Sequence, residues 1–288
     1  WTQSRGPWLG LFFGGYLFVL LVLIALRPRR YMAAAIAWVG VGGLGVLLIF
    51  TMNTLPIFAG LRDVPYLGRL TQLLDQESTT AQVRTLIWQG SSELVVPHAP
   101  LVRPDGEADG LNFLRPLVGY GPEAMWVAFN KFYPSDLAQV EARNASPDRS
   151  HNETWDSLVI TGLLGFLAYL AVFISIFYWA LRWLGLLVNR RDSILFFALL
   201  LVSALASSVG FYFYDAHQLR LFGVAFPAGL MFGLLVYVMA AAFLHPDFRP
   251  DPADVPRQLL IVALLTAIVA HFVEIHFGIA IAATRTYF

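Results

Sequence analysis

Long apolar stretches alternate with polar segments along this chain of 288 residues. Six of the apolar stretches approach the roughly 20 helical residues that cross the hydrocarbon core of a bilayer. They cover residues 8–26, 31–50, 157–179, 194–212, 221–243 and 259–281. The pattern predicts an all-α, multi-span integral membrane protein with about six transmembrane helices.

Glycine and proline predict further details of these helices. Pro227 predicts a kink in the fifth one, because proline lacks the N–H that the helical ladder uses. Glycine and alanine recur through residues 31–50 and predict close packing of the second helix in lipid. The segment 245–258 contains four prolines and is predicted to be a loop ordered by its surroundings.

The polar segment at residues 51–156 is too long to be a plain connection, because structureless loops beyond about 15 residues are uncommon in compact domains. Residues 79–90 have helical character, and Thr79 with Gln82 has the spacing of a capping box. The loop is therefore predicted to be largely helical. Its residues 97–112, rich in Pro, Asp and Gly, are predicted to form an exposed excursion.

Prolines in this loop predict two more helix starts, at Pro122 and at Pro134, because proline suits the first helical position. Three parts result: the first two transmembrane helices, a loop domain and four further helices, at residues 1–50, 51–156 and 157–288. The chain opens on Trp1 and lacks a signal-peptide pattern. We therefore expect it to be the C-terminal part of a longer protein.

Basic residues in the short loops predict the orientation, since positive charge stays on the cytoplasmic side. The loops after the first, third and fifth predicted helices contain eight arginines. The opposite short segments contain only Arg5, Arg220 and Arg285. The N-terminus and the long loop are therefore predicted to be extracytoplasmic.

The composition limits which partners and which reactive side chains are possible. The formal net charge is zero, so nothing indicates nucleic acid as a partner. The chain has no cysteine, which excludes disulfides, thiolate metal sites and a cysteine nucleophile. It also lacks a Walker loop and an HExxH motif, so the remaining candidates are arginine, histidine and carboxylate side chains.

Three such candidates lie on the predicted outer side: Arg5, Arg84 and His151. Guanidinium groups bind phosphate bidentately and keep their charge when partly desolvated. Histidine is the side chain that titrates near neutral pH without help. Together they suit chemistry on an anionic, lipid-borne substrate. The alternative is that they are interfacial residues that cap helices or extend along the membrane surface.

Other polar positions on the same side leave two interpretations open. Gly119 and Gly121 form a turn before a predicted helix start, which favours either anion binding or a plain tight turn. Arg220, in the loop between the fourth and fifth helices, is a substrate-binding candidate or part of a solvated loop. His271 and Glu274 are one helical turn apart and either line an outward cavity or pair with each other.

Four motifs in order resemble the O-antigen ligase and O-antigen polymerase superfamily. They are Ser4-Arg5-Gly6 before a span, Arg84 with Trp88, the Arg115–Pro122 turn, and Asp148–Asn152 followed by the helix through Tyr169. The resemblance implies a bacterial inner-membrane glycosyltransferase of the GT-C type, active on the extracytoplasmic side without a metal. Such proteins move a glycan from an undecaprenyl-pyrophosphate carrier to a hydroxyl of a lipid, a growing glycan or a protein.

The same resemblance implies roles for individual residues. Arg5 and Arg84 would hold the departing pyrophosphate, and His151 would activate or orient the acceptor hydroxyl. Within the matching motifs, we predict substrate binding for Trp88, Gly119, Gly121, Arg149 and Asn152. Arg220 is predicted to join them. Membrane lipids are the expected surroundings.

The chain departs from the family in having about half of its usual number of spans, and in the added excursion at residues 97–112. The shorter chain supports an alternative, a non-enzymatic membrane scaffold subunit of a larger complex. A transporter is a third interpretation, which would need His271 and Glu274 to line a route through the bilayer. The absence of charged residues deep in the second to fifth helices argues against that route.

Overall fold

A computed structural model describes residues 5–25, 32–61, 79–102, 105–142, 145–245 and 251–278. The α-helices within these ranges are α1 (Arg5–Ala25), α2 (Met32–Thr54), α3 (Thr79–Val95), α4 (Arg115–Val118), α5 (Met125–Ala128), α6 (Leu137–Val140), α7 (Glu153–Trp183), α8 (Arg190–Tyr214), α9 (Phe222–Leu244) and α10 (Val255–Ile275). Short 3₁₀ helices lie at Pro56–Leu61, Asn112–Leu114, Phe129–Phe132 and Pro252–Asp254.

Six of these helices, α1, α2 and α7 to α10, are long and apolar enough to cross a membrane. Throughout the described ranges the regular secondary structure is helical, and the sole β-type pairing there is an isolated bridge between Val102 and Ala108. The prediction of an all-α, multi-span membrane protein is confirmed.

The helices α7, α8 and α10 each begin four residues earlier than hydropathy predicts, because their first turns are polar. Asn152 caps α7, accepting the N–H of Trp155 at 3.2 Å, so residues 153–156, with the charged Glu153 and Asp156, form its first turn. Asp251 accepts the N–H of Ala253 at 2.9 Å and opens a 3₁₀ turn that leads into α10. Pro252 and Pro256, predicted to be in a loop, instead lie at the start of this turn and of α10, whereas Pro246 and Pro250 lie outside the described residues.

The helix start predicted at Pro122 is wrong. Glu123 has a φ of +58°, which a right-handed helix does not accommodate, so α5 begins at Met125. The start predicted near Pro134 is close to the observed one. The carbonyl of Pro134 accepts the N–H of Leu137 at 3.0 Å, where α6 begins.

Close helix packing occurs between α1 and α10, through Gly6, Gly10 and Gly14. A Cβ on Gly10 would lie 2.4 Å from the carbonyl oxygen of Ala270, and a Cβ on Gly14 would lie 2.8 Å from that of Thr266. Glycines four residues apart let two membrane helices approach backbone to backbone. The spacing in α1 is therefore the reason that α10 lies against it.

The prediction of close packing for the second helix is wrong along most of its length. Gly40, Gly43 and Gly45 of α2 face open space, with no atom within 4 Å of the Cβ that each lacks. Contacts with α1 are concentrated at Tyr16: its carbonyl accepts the indole N–H of Trp38 at 3.0 Å, and a Cβ on Gly42 would lie 2.7 Å from its ring. Apart from Gly42 and the buried Ala35, most small residues of α2 are thus not used for packing.

We expect Gly10→Leu to lower the midpoint of thermal unfolding, because its side chain would meet the backbone of α10. Overpacking of this kind costs about 1–3 kcal/mol. Thermal unfolding of the detergent-solubilised protein, followed by circular dichroism, measures it. Gly15→Leu is the matched control on the same helix, since nothing lies within 4 Å of a Cβ there. Equal effects of the two substitutions would contradict this account of the packing.

The loop between α2 and α7 has a small apolar core of its own. Its buried members come from α3, α5, α6, the Phe129–Phe132 turn and α7: Ile87, Leu94, Met125, Ala128, Phe129, Leu137 and Val159. Because Val159 belongs to α7, the loop core is continuous with the helix bundle. The loop is therefore a folded unit attached to the first two turns of α7.

The helix α7 leaves helical geometry at Gly162, where φ is +63° and ψ is −168°. The loop fills this break. The N–H of Tyr120 donates to Val159 O at 2.8 Å, and that of Gly121 donates to Ile160 O at 2.9 Å. These bonds satisfy helix carbonyls at the break. The sequence predicts a kink at Pro227, which lies inside α9. The non-helical backbone angles are instead those of Gly162 in α7.

Candidate functional site

The segment Ser150–Asn152, directly before α7, joins three helices at the end of the bundle that carries the loop. Asn152 is fully buried. Its amide nitrogen donates to Gly223 O in α9 at 2.8 Å and to His276 O at the end of α10 at 3.0 Å, while its oxygen caps α7. Gly223 permits this approach, because a Cβ there would lie 2.6 Å from Asn152 Oδ1.

Ser150 is held equally firmly. Its N–H and its hydroxyl both donate to Asp156 Oδ1 at 2.7 Å. Its carbonyl accepts the indole N–H of Trp88 at 2.9 Å, which ties α3 to the start of α7. Asp156 is 1% exposed. The second carboxylate oxygen, Oδ2, has no hydrogen-bond partner in the described part of the chain.

His151 lies between these two anchored residues and has a φ of +58°, in the left-handed region. Residues other than glycine adopt this region rarely, and such conformations cluster at functional sites. The side chain is half-buried. Its neighbours fix the backbone on both sides, so the direction of the Cα–Cβ bond of His151 is set by the fold.

The side chain of Arg84, in α3, extends to the end of α10, which Asn152 also contacts. Its Nη1 donates to the backbone carbonyl of Phe277 at 3.0 Å, just beyond the end of α10. One turn along α3, Trp88 contacts the residue before His151. The sequence prediction that Arg84 and Trp88 share a helix face agrees with these contacts.

The electrostatics of His151 follow from this arrangement. Burial lowers the pKa of His151 from its usual value, and the positive charge of Arg84 lowers that pKa further. Three carboxylates oppose the shift: Asp156, Asp148 and Glu141. The net effect favours the neutral imidazole, which has a free lone pair and can accept a proton.

Arg5 is the first residue of α1, and its side chain lies outside the described part of the structure. The backbone next to it is placed. A Cβ on Gly6 would lie 3.3 Å from the carbonyl oxygen of Phe277, the group to which Arg84 donates. The start of α1 therefore lies beside the guanidinium of Arg84.

The anion-binding interpretation of the Gly119–Gly121 turn is not supported by its hydrogen bonds. The N–H groups of Gly119, Tyr120 and Gly121 donate to the carbonyls of Arg115, Val159 and Ile160 at 2.8–2.9 Å. Gly119 has a packing reason as well, since a Cβ there would lie 2.4 Å from Ile160 O. The turn docks the loop onto α7, which was the plainer of the two interpretations.

Two further residues predicted to bind substrate have their polar groups committed inside the protein. The amide of Asn152 makes three hydrogen bonds, and the indole N–H of Trp88 makes one. Both side chains are buried, at 0% and 6% exposure. These hydrogen bonds occupy the polar groups of both side chains and hold the backbone on either side of His151.

The two remaining arginines form ion pairs. Arg149 Nη2 lies 3.2 Å from Glu123 Oε1 in an exposed pair. Arg220 binds Asp215 with two hydrogen bonds of 2.7 and 2.6 Å, and this pairing raises the pKa of Arg220. The backbone of Arg220 still touches the site region, since its carbonyl accepts the indole N–H of Trp155 at 3.1 Å.

His271 and Glu274 lie near the end of α10 that carries Phe277. His271 Nδ1 is 4.0 Å from Glu274 Oε2, so the two groups are neighbours as their spacing predicts. His271 is buried, whereas 36% of the Glu274 side chain is exposed. Among the described residues, no three His, Asp or Glu side chains gather into a group that could hold a metal ion.

Three groups at the site were given no role from the sequence: Ser150, Asp156 and the carbonyl of Phe277. Asp156 follows the capping residue by one helical turn, so its spacing places it beside Ser150; this was the available signal. The Phe277 carbonyl carries no sequence signal, because any residue has one. A cavity of about 560 Å³ was also missed, within the excursion and lined by Pro97, His98, Asn112 and Phe113 among others.

Arg84 and His151, predicted from remote parts of the chain to act together, are thus neighbours in the fold, with the start of α1 beside them. The prediction for the Arg5 side chain falls outside the described residues. Comparison of the chain with protein-family models, with curated proteins and with solved structures finds no match.

Proposed function

We propose that this chain is a membrane glycosyltransferase of the O-antigen ligase type, which moves a glycan from an undecaprenyl-pyrophosphate carrier to an acceptor hydroxyl on the extracytoplasmic side. The observation that carries the proposal is that α3, which bears Arg84, lies against the segment of His151: Trp88 donates to Ser150 O, and burial together with the charge of Arg84 lowers the pKa of His151. A fixed cation beside a neutral base is what a reaction with an anionic leaving group and a hydroxyl nucleophile requires.

In the proposed reaction, the acceptor oxygen forms a bond to the anomeric carbon of the donor glycan. The bond from that carbon to the pyrophosphate oxygen breaks, and the lipid-linked pyrophosphate leaves with the electron pair. His151 takes the proton of the acceptor hydroxyl. Arg84 stabilises the negative charge that grows on the leaving group, and Arg5 is expected to assist it.

Local structure supports the precision that this chemistry needs. His151 is fixed between Ser150 and Asn152, which are both buried and hydrogen-bonded. Reacting groups that are held in place contribute to catalysis by avoiding the entropy cost of alignment. A scaffold subunit has no need of a left-handed histidine fixed in this way, so the geometry favours the transferase over that alternative.

We expect Arg84→Gln to lower glycan transfer by about 10²–10³-fold, since removal of one preorganised charge-stabilising group has that effect. Transfer is measured in membrane vesicles with an undecaprenyl-pyrophosphate-linked oligosaccharide as donor. Arg191→Gln is the control, because Arg191 is exposed at the start of α8, which follows the end of α7 remote from His151. Unchanged transfer by Arg84→Gln, with normal membrane insertion, would remove the assigned role and favour the scaffold alternative.

Arg84→Gln is also expected to change the pH dependence of the transfer rate. Arg84 lowers the pKa of His151, so the wild-type imidazole stays neutral to a lower pH than an ordinary histidine. Loss of the charge in Arg84→Gln raises that pKa, and the acid limb of the pH–rate profile therefore moves to higher pH. Arg84→Lys keeps the charge and should leave the limb near its wild-type position. A limb that is the same in all three proteins would contradict the coupling.

A further inference from the structure

The helix α7 is longer than a membrane crossing requires. Its 31 residues would span about 46 Å as one straight helix, at about 1.5 Å per residue, but the break at Gly162 divides them. The hydrocarbon core is only about 30 Å thick. At its C-terminal end, Trp179 and Trp183 are exposed on either side of Arg182, a grouping typical of a membrane interface. Counting back about 20 residues from Arg182 places the other edge of the core near Leu163.

Burial along α7 agrees with this count. The first seven residues of the helix, 153–159, are all buried within the protein. Large exposed side chains begin at Leu163 and Leu164, beyond the break at Gly162. The lipid-facing part of α7 therefore starts at the point where the loop is attached.

The loop presents an apolar surface near this level. We call it the loop patch, and define it by the exposed side chains of Leu111, Phe113, Leu117, Val118, Trp126 and Val127. Two of these directly precede Gly119, which packs against Ile160 and Gly162 of α7. That contact fixes the depth of Leu117 and Val118 relative to α7.

The patch residues of α5, Trp126 and Val127, belong to a folded helix that packs on the loop core. In α5, Met125 and Ala128 are buried in the loop core, at 2% and 6% exposure. Between them, Trp126 and Val127 point outward, at 57% and 63% exposure. Apolar groups exposed together on a folded surface mark an interaction site.

We infer that the loop patch inserts into the membrane, at the boundary between headgroups and acyl chains of the leaflet on the loop side. The partner is the lipid bilayer itself. Leu117 and Val118 of the patch adjoin Gly162, next to the lipid-facing Leu163 and Leu164 of α7, and Trp126 has the amphipathic ring that favours this boundary. The inference depends on the membrane assignment and not on the transferase chemistry.

Insertion at this depth has a consequence for the segment before α7. The break at Gly162 keeps His151 close in depth to the lipid-facing start of α7. Asn152 contacts Gly223 and Phe166 contacts Phe226, and these two contacted residues of α9 are only three residues, or about 4.5 Å, apart along that helix. With the loop seated in the boundary, His151 lies just above the acyl chains, beside the headgroups. A lipid-linked substrate would meet it without leaving the membrane.

Single-cysteine spin labelling tests the inference, because the chain contains no cysteine of its own. Val118→Cys and Val127→Cys are labelled with a nitroxide in the full protein, reconstituted in lipid nanodiscs. Collisions are measured with molecular oxygen, which concentrates in lipid, and with a water-soluble nickel chelate. Leu164→Cys is the lipid-facing control, and Glu107→Cys, exposed in the excursion, is the aqueous control.

We expect oxygen collisions to exceed nickel collisions at residues 118 and 127, as at residue 164, with the reverse order at residue 107. A nickel-dominated result at both loop positions would place the patch in water. Shielding from both reagents would place it against protein. Either of these two results overturns the inference. Circular dichroism of the labelled proteins verifies that each variant is folded.

Discussion

Replacement of His151 by asparagine is expected to reduce glycan transfer by roughly 10²–10⁴-fold, the contribution that a positioned acid–base group commonly makes. Asparagine tolerates the left-handed backbone at this position, where φ is +58°, so the fold should persist. It has no basic nitrogen, so the acceptor hydroxyl would lose its proton acceptor. The measurement is transfer from a lipid-linked oligosaccharide donor, at saturating donor and acceptor.

A matched control exists in the same chain. His217 lies near Arg220, is also left-handed with a φ of +68°, and is exposed. The substitution His217→Asn changes the same side chain in the same backbone conformation, and should leave transfer unchanged. If His151→Asn and His217→Asn behave alike, the imidazole of His151 has no special part in the reaction.

A second large effect is expected at Gly119, where the loop meets α7. Its φ of +73° and ψ of −172° fall in a region open essentially to glycine alone, which costs another residue about 1–3 kcal/mol. A Cβ would also lie 2.4 Å from Ile160 O, and such overpacking adds about 1–3 kcal/mol. Gly119→Ala should therefore destabilise the loop by several kcal/mol, measured as a loss of amide hydrogen-exchange protection in α4 and α5.

Gly121→Ala separates the two contributions. Gly121 also has a positive φ, of +98°, but nothing lies within 4 Å of the Cβ that it lacks. The conformational cost alone is about 1–2 kcal/mol, so this variant should lose much less protection than Gly119→Ala. Similar losses in the two variants would show that steric contact with α7 is not the main cause.

Hydropathy predicted the existence of the long helices well, because burial in lipid needs about 20 apolar residues regardless of what surrounds them. Helix ends were less predictable. The start of α7 depends on the capping bond from Trp155 N–H to Asn152, and that of α10 on a turn opened by Asp251. Both signals are polar, and polar residues beside an apolar run look like loop when only hydropathy is considered.

The site was predicted in part. The predicted topology places Arg84 and His151 on one side of the membrane, and in the fold the charge of Arg84 acts on the pKa of His151. The roles of Asn152 and Gly119 were misjudged, because a polar or glycine residue in a motif does not reveal whether its partner is substrate or protein. The Gly6, Gly10 and Gly14 spacing was readable from the sequence, but which helix lies opposite depends on the tertiary fold.

The amide of Asn152 has a mechanical consequence. One side chain holds the start of α7, the start of α9 and the end of α10, through three hydrogen bonds that would be lost together if these helices separated. A transporter has to open and close at each side of the membrane in turn. At the end of the bundle where Asn152 lies, these three helices are held together by hydrogen bonds. Large movements of the protein are therefore expected in other segments, while the backbone beside His151 stays fixed to these three helices.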